Sequence, residues 1–173
     1  MNNKTLVRTF SLLALVMVAL AITAAPRDAH AQFRAGAYLG YQRISGGGNA
    51  SGTFLARAEA TVGFIPWLQA GLYGESLSPF SEGKTGWGLG AVATLRPMLP
   101  GTTIDPMGYA SIGYQRAPVG SVFAGGPLFE VGAGLSWHVI PLLDLELRGG
   151  YVGLFDANGL HGFSAAVGLS LHP

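Results

Sequence analysis

The 173-residue sequence contains no cysteine, which excludes both a disulfide framework and anchoring through a lipidated cysteine. Charged residues are also scarce: they make up 11% of the chain, whereas a soluble domain usually carries about 25%. So few charged side chains cannot cover a water-facing surface. The 10 basic and 9 acidic side chains nearly balance, so the charge gives no reason to expect nucleic acid as a partner.

Long apolar runs are confined to the start of the chain. Residues 10–25 are uncharged, but this stretch is short for a helix that spans a bilayer, which needs about 20 residues. Lys4 and Arg8 precede the stretch and the small-x-small motif Ala29-His30-Ala31 follows it, an arrangement typical of a cleaved export signal. We therefore predict that residues 1–31 are removed and that residues 32–173 form one domain.

The rest of the chain alternates apolar with polar or small side chains at a period of two, the pattern of β-strands with two different faces. In one segment, for example, Leu145 and Leu147 share one face while Glu146 and Arg148 share the other. Eight such segments are present, and an even number is typical of bacterial barrels. The sequence therefore predicts an all-β fold, an eight-stranded antiparallel up-and-down transmembrane β-barrel. The segments lie near residues 33–42, 54–64, 68–75, 87–96, 109–115, 129–139, 143–151 and 163–171.

The connections between the segments alternate in character, as expected for long outer loops and short periplasmic turns. The predicted loops are mostly rich in glycine or serine and cover residues 45–52, 76–86, 116–126 and 154–162. The predicted turns contain proline and cover residues 65–67, 97–106 and 140–142. The second of these turns is about as long as the outer loops.

Alternation alone does not distinguish a membrane barrel from a soluble, lipocalin-like binder, because the two differ in which face points inward. Glycine, serine and alanine crowd the polar face, and the strand charges share its parity. An arginine facing the middle of the bilayer would cost about 2–4 kcal/mol. Aromatic residues stand near both ends of the apolar face, as in the girdles at the two membrane interfaces. They are Tyr41, Trp87, Tyr114, Tyr151 and Phe163 near the loops, and Phe33, Phe64, Trp67 and Trp137 near the turns.

Over roughly residues 33–172 the pattern resembles the OmpA/OmpX-type family of small outer-membrane barrels. The segment that resembles the sixth and seventh strands of that family is Phe129-Glu-Val-Gly-Ala-Gly-Leu-Ser-Trp-His-Val-Ile-Pro-Leu-Leu-Asp-Leu-Glu-Leu-Arg-Gly-Gly-Tyr151. The resemblance implies a bacterial outer-membrane location, contact with membrane lipids and assembly by the barrel-assembly machinery. Such proteins usually end in an aromatic residue, whereas here Leu169 and Leu171 occupy the aromatic positions.

Ten ionisable side chains fall on the predicted inward face. One interpretation is a mutually neutralising network in a closed interior, because burying a charge without a partner is costly. The other is the lining of a narrow pore or proton path. An eight-stranded interior is just wide enough for side chains to fill, which favours the closed network. The ten are Arg34, Arg57, Glu59, Glu75, Arg96, Glu130, His138, Asp144, Glu146 and Arg148.

No residue pattern points to catalysis. His161, Ser164 and Asp156 have the residue types of a hydrolase triad, as in a lipid-modifying barrel enzyme, but the spacing is His-x-x-Ser rather than the His-x-Ser of barrel-borne lipid A deacylases. His138, His161 and His172 lack metal-ligand spacing. We therefore predict no catalytic site, no metal and no cofactor. The predicted function is a structural or surface-interaction role, and the sequence does not identify a partner for the loops. The alternative is a narrow pore or transporter for ions or small apolar solutes.

Overall fold

The computed structural model describes residues 33–46, 49–65, 67–80, 84–97, 101–119, 122–155 and 159–172. Each of its eight strands pairs antiparallel with its neighbours in sequence, and the last strand closes on the first. The predicted eight-stranded up-and-down barrel is therefore confirmed. The strands are β1 (Phe33–Gly46), β2 (Asn49–Ile65), β3 (Leu68–Pro79), β4 (Gly86–Leu95), β5 (Ile104–Val119), β6 (Val122–Ile140), β7 (Leu143–Leu154) and β8 (His161–Leu171).

The predicted export signal lies outside the described residues and stays a prediction. In the part of the chain that the structure describes, no helix is both long and apolar enough to cross a bilayer.

Burial alternates along the strands because successive side chains of a strand point to opposite sides of the sheet. In β4, Val92 and Thr94 are buried in the barrel while Leu89 and Leu95 are exposed on its outside. The inward parity predicted from the sequence recurs around the barrel. Large apolar side chains therefore cover the outside, with Ile112 69% exposed, and so extensive an apolar surface indicates contact with lipid.

The strands continue into segments that the sequence analysis assigned to loops. Only two residues separate β1 from β2, and only two separate β5 from β6, so the predicted loops at 45–52 and 116–126 are mostly strand. The sequence signal failed because glycine and serine in these segments pair through backbone groups, which every non-proline residue carries. Glycine and serine therefore indicate a weak preference for strand, but they do not prevent a segment from pairing with its neighbour.

The predicted turn at 97–106 is also shorter than expected, since β5 begins at Ile104. Pro106 pairs with Leu135 of β6, whereas β4 joins β5 only from Gly108 onward. Proline lacks a backbone N–H and is tolerated where one side of a strand is unpaired. Pro106 therefore lies where β5 pairs with β6 but not with β4, and the strand continues through it.

The start of β1 and the end of β8 lie at the same end of the barrel as the adjoining ends of β2 and β3, of β4 and β5, and of β6 and β7. We call this the periplasmic end, because the short connections of such proteins lie on that side. Two of these connections follow irregularities in the ladder. The register shifts between Gly63 and Ile65 and again between His138 and Ile140. A β-bulge re-aims nearby side chains, and the second shift directly follows His138, at the mouth of the barrel.

Candidate functional site in the barrel interior

The structure places all ten predicted interior residues on the inside of the barrel. Nine are buried, and His138 at the end of β6 is half-buried. An eleventh ionisable residue, Asp105 of β5, is also buried there. Sequence analysis missed it because it fell in the predicted turn at 97–106. The inward face of β5 includes Tyr109, and counting back along the chain in steps of two past Pro106 would have placed Asp105 on the same face.

Glu146 of β7 is the centre of the network in the periplasmic half of the interior. Its Oε1 lies 2.7 Å from Nη2 of Arg96, and its Oε2 lies 2.9 Å from Nη2 of Arg148. Arg34 of β1 approaches Oε1 at 3.3 Å, and the Tyr38 hydroxyl donates to Oε2 at 2.9 Å. One fully buried carboxylate therefore accepts from three guanidinium groups and a phenol.

Asp144 lies closer to the periplasmic mouth and gathers a second set of contacts. Arg34 binds its Oδ2. Its Oδ1 lies 2.7 Å from Nδ1 of His138 and 3.0 Å from Nε2 of His172. The other ring nitrogen of His138, Nε2, lies 2.9 Å from Asp105 Oδ2. Two histidines and two carboxylates thus meet at this end of the barrel.

Arg148 and Arg57 extend the network to the middle of the barrel. Nη1 of Arg148 donates to both carboxylate oxygens of Glu59, each at 2.8 Å. Nε of Arg57 lies 2.9 Å from Glu59, and its Nη1 lies 2.5 Å from Glu130 and 3.9 Å from Glu75. The Arg57–Glu130 and Arg148–Glu59 pairs join β2 to β6 and to β7, strands that are not its neighbours in the sheet. The charges therefore tie the barrel across its interior.

Three inward tyrosines separate the arginines from the wall. The guanidinium of Arg57 lies 3.9 Å from the ring centroid of Tyr73, and that of Arg148 lies 4.0 Å from that of Tyr38, within the range of a cation–π contact. Each tyrosine side chain lies beside two glycines, and a β-carbon on any of these glycines would come within 3 Å of a ring carbon or of the hydroxyl oxygen. The glycines are Gly36 and Gly168 beside Tyr38, Gly90 and Gly113 beside Tyr73, and Gly132 and Gly150 beside Tyr109. Sequence analysis recognised the small residues but not the rings that they accommodate.

The outer end of the interior is mostly apolar, which was not predicted from the sequence, and the buried amides of Gln42 and Gln115 form a hydrogen bond there at 2.6 Å. Leu77 and Val152 have no exposed surface there. Several members of this group fell in predicted loops, so the alternation of faces was not followed as far as these residues. Extending the alternation of the neighbouring strands to Leu77 and Leu154 would have shown that both side chains point inward. We call the group the outer apolar cluster; it consists of Ile44, Leu55, Tyr73, Leu77, Val92, Ala117, Leu128, Val152, Leu154 and Leu160.

The aromatic residues predicted at the two interfaces mostly lie on the outer surface. Seven are at least partly exposed there: Tyr41, Trp67, Trp87, Tyr114, Trp137, Tyr151 and Phe163. In the outer girdle the rings contact one another, with centroids 5.8 Å apart for Trp87 and Tyr114.

Phe33 departs from this prediction. The register places it opposite Val62, on the outward row, but it is only 9% exposed. Alternation determines the row on which a side chain stands and not whether other parts of the chain cover it. The side chain of Phe64 lies outside the described residues.

The three residues considered as a hydrolase triad are not brought together. His161 is exposed on the outside, where its ring stacks on Tyr151 with centroids 6.2 Å apart. Ser164 points inward and donates a hydrogen bond to Glu130. Asp156 lies outside the described residues. Because His161 and Ser164 occupy opposite faces of β8, the histidine cannot act as the base for this serine.

Neither a protein-family model nor a curated protein sequence matches the chain. Among solved structures, the chain is similar to neisserial surface protein A (NspA), with a TM-score of 0.69 and 18% identity over 80% of this chain and 96% of NspA. It is also similar to the N-terminal β-barrel domain of OprF from Pseudomonas aeruginosa, with a TM-score of 0.62 and 13% identity over 82% and 97%. The chain is also similar to Ail, the attachment invasion locus protein of Yersinia pestis, with a TM-score of 0.51 and 14% identity over 83% of this chain and 98% of Ail.

The closed eight-stranded barrel, its apolar outer surface and its aromatic girdles define a small outer-membrane β-barrel protein. Within that class the fold is of the OmpA/OmpX type, as the sequence resemblance predicted.

Proposed function

We propose that this protein is a closed, non-conducting outer-membrane barrel with a structural and surface-presenting role. The observation that carries the proposal is that two different groups of buried side chains occupy the two ends of the interior, so that an ion would have to pass both. The outer apolar cluster occupies one end, and the network centred on Glu146 occupies the other.

The outer apolar cluster supports closure because an ion would have to leave water to pass it. Leu77 and Val152 are completely buried, and Leu55, Leu128 and Leu154 are each at most 4% exposed. Transfer of an unpaired ion into apolar surroundings costs many kcal/mol. A constriction filled by five such side chains therefore opposes conduction.

The charged network supports closure in a different way. Arg57 bridges to Glu130, and Arg148 bridges to Glu59, across the width of the interior. A passing ion would have to displace one of these partners, and removing a partner from a buried pair costs about 3–5 kcal/mol. The charges therefore act as cross-links rather than as a lining for mobile ions.

The surface-presenting part of the role rests on the hairpin formed by β5 and β6. The ladder of β5 with β4 ends at Arg116, and that of β6 with β7 ends at Leu128. Beyond these points the two strands pair only with each other, as far as Val119 and Val122. In the part of the chain that the structure describes, this hairpin therefore extends beyond the ladders with β4 and β7, where a soluble partner can reach it.

The test is single-channel recording in planar bilayers with protein taken from outer membranes of cells that express the full sequence. We expect no steady conductance steps from the native protein, because both groups of buried side chains are intact. The double variant Leu77→Gly/Leu128→Gly should keep the heat-dependent gel mobility of a folded barrel and still fail to conduct, since the charged network remains. Steady steps from the native protein would overturn the proposal.

A narrow pore is the second candidate, favoured by incomplete hydrogen bonding in the middle of the interior. Nη2 of Arg57, Oε1 of Glu75 and the hydroxyl of Tyr73 have no hydrogen-bond partner among the described residues. Polar atoms of this kind can line a path for water. If the native protein conducts, Glu75→Gln should change its cation selectivity, and that result would establish the pore in place of the closed barrel.

A further inference from the structure

We propose that the periplasmic mouth of the barrel holds a binding site for one divalent transition-metal ion such as Zn²⁺. The ligands are His138 at the end of β6, Asp144 at the start of β7 and His172 just after β8. The three ligand atoms all lie within 4.8 Å of one another. This site is independent of whether the barrel conducts.

Strand pairing explains how residues distant in sequence meet here. His138 and Asp144 are direct partners across the short turn between β6 and β7. On the other side of β7, Leu143 pairs with Leu171, and the His172 backbone N–H donates to the Leu142 carbonyl at 3.1 Å. Asp144 therefore lies between the two histidines. Spacing along the chain could not reveal the site, because one ligand comes from each of three strand ends.

The distances suit metal coordination. Oδ1 of Asp144 lies 2.7 Å from Nδ1 of His138 and 3.0 Å from Nε2 of His172. Around a tetrahedral Zn²⁺, ligand atoms about 2.0–2.2 Å from the ion lie about 3.3–3.6 Å from one another, so the two histidines need to move away from Asp144 by only about half an ångström to admit an ion. Two imidazoles and one carboxylate form a donor set that binds transition metals and leaves further positions open.

The surroundings of His138 match those of a histidine that binds a metal. Both of its ring nitrogens face carboxylate oxygens: Nδ1 faces Asp144, and Nε2 lies 2.9 Å from Asp105 Oδ2. A carboxylate on the far nitrogen of a histidine is the usual outer-shell partner of a metal ligand. Arg34 holds the other oxygen of Asp144 in the same manner.

The site is open to the periplasm, which an ion needs for entry. The side chain of His138 is 38% exposed and that of His172 is 25% exposed, while Asp144 is fully buried between them. The carboxylate therefore forms the floor of the site, and the two imidazoles form its rim.

The test uses untagged protein, purified from outer membranes, stripped with a chelator and titrated with ZnCl₂ by calorimetry, with metal counted by mass spectrometry. We expect one Zn²⁺ per chain. His138→Ala and His172→Ala should each weaken binding by more than the roughly 10–100-fold that the loss of an outer-shell partner costs. Asp105→Asn should fall within that 10–100-fold range. His161→Ala is the matched control, because this exposed histidine lies at the outer end, away from the site.

Co²⁺ gives a second readout that depends on the ligands themselves. The visible absorption bands of the bound ion should be present in the native protein and in His161→Ala and absent in His172→Ala. His172 lies beyond the last strand, so its substitution leaves the barrel paired, and the heat-dependent gel mobility checks this. Failure of the native protein to bind Zn²⁺, or equal binding by native protein and His172→Ala, would overturn the proposal. The three side chains would then be held by hydrogen bonds and charge alone.

Discussion

The two ends of the interior are filled by side chains of opposite character. At the outer end, ten residues such as Leu77 and Val152 pack together, and Tyr73 is the one polar side chain among them. In the periplasmic half, Glu146 alone accepts from three arginines, and Asp144 contacts an arginine and two histidines. Both groups of side chains are buried, but they depend on their neighbours differently. An apolar side chain loses contact in proportion to what is removed, whereas a buried charge depends on a few specific partners.

The largest effect is expected at the centre of the charged half. Glu146→Ala removes the shared acceptor of Arg34, Arg96 and Arg148, so three buried guanidinium groups lose a partner. We expect the free energy of unfolding to fall by about 3–5 kcal/mol, measured by guanidinium titration in lipid vesicles. Lys84→Ala, at an exposed position, should change it by less than about 0.5 kcal/mol. Equal losses in both variants would show that the network adds no stability.

A somewhat smaller loss is expected in the apolar half. Leu77→Ala leaves a cavity in the outer apolar cluster and should lower the free energy of unfolding by about 2–5 kcal/mol. The matched control is Leu72→Ala on the same strand, since Leu72 is 63% exposed on the outer surface. Lipid tails fill the space left there, so the control should lose less. If the control lost as much, the outer apolar cluster would not be packed as a core.

The smallest of the three effects is expected at the glycines that lie beside the inward tyrosines of the charged half. Gly132→Ala places a β-carbon 2.6 Å from Cζ of Tyr109 and 2.4 Å from the carbonyl oxygen of Gly149, so both the ring and the neighbouring strand must give way. Overpacking of this kind costs about 1–3 kcal/mol, which denaturant titration can resolve. Gly74→Ala is the control, because a β-carbon there meets no atom within 4 Å. A loss in Gly74→Ala equal to that in Gly132→Ala would point to backbone conformation rather than to the tyrosine ring.

The fold could be predicted because alternation is a local signal that each strand carries independently. Leu145, Glu146, Leu147 and Arg148 reveal their two faces without knowledge of any partner strand. The strand ends were predicted less well, since glycine-rich segments such as 45–52 pair through the backbone and give little side-chain signal. Pro106 led to the prediction of a turn where β5 in fact continues, because a strand tolerates proline on a side that is unpaired.

The interior could be predicted as a set of residues but not as a set of contacts. Parity identified Arg57 and Glu130 as inward, yet their meeting depends on the barrel closing so that β2 faces β6. The cluster at the periplasmic mouth needed still more information. It depends on the place of His172 beside β7 and on Asp105 belonging to a strand, and neither follows from spacing along the chain.

The way in which the network spans the barrel has a consequence for assembly. Arg34 on the first strand finds its acceptors on β7, 110 and 112 residues later, and Arg148 binds Glu59 from 89 residues away. Until the last strands are in place, Arg34 lacks its acceptors on β7, and Glu59 lacks Arg148 and keeps only Arg57 of its own strand. A half-inserted sheet would therefore carry unpaired charges into the bilayer, which is energetically unfavourable. Insertion and closure should consequently occur as one cooperative event, with few partly assembled intermediates.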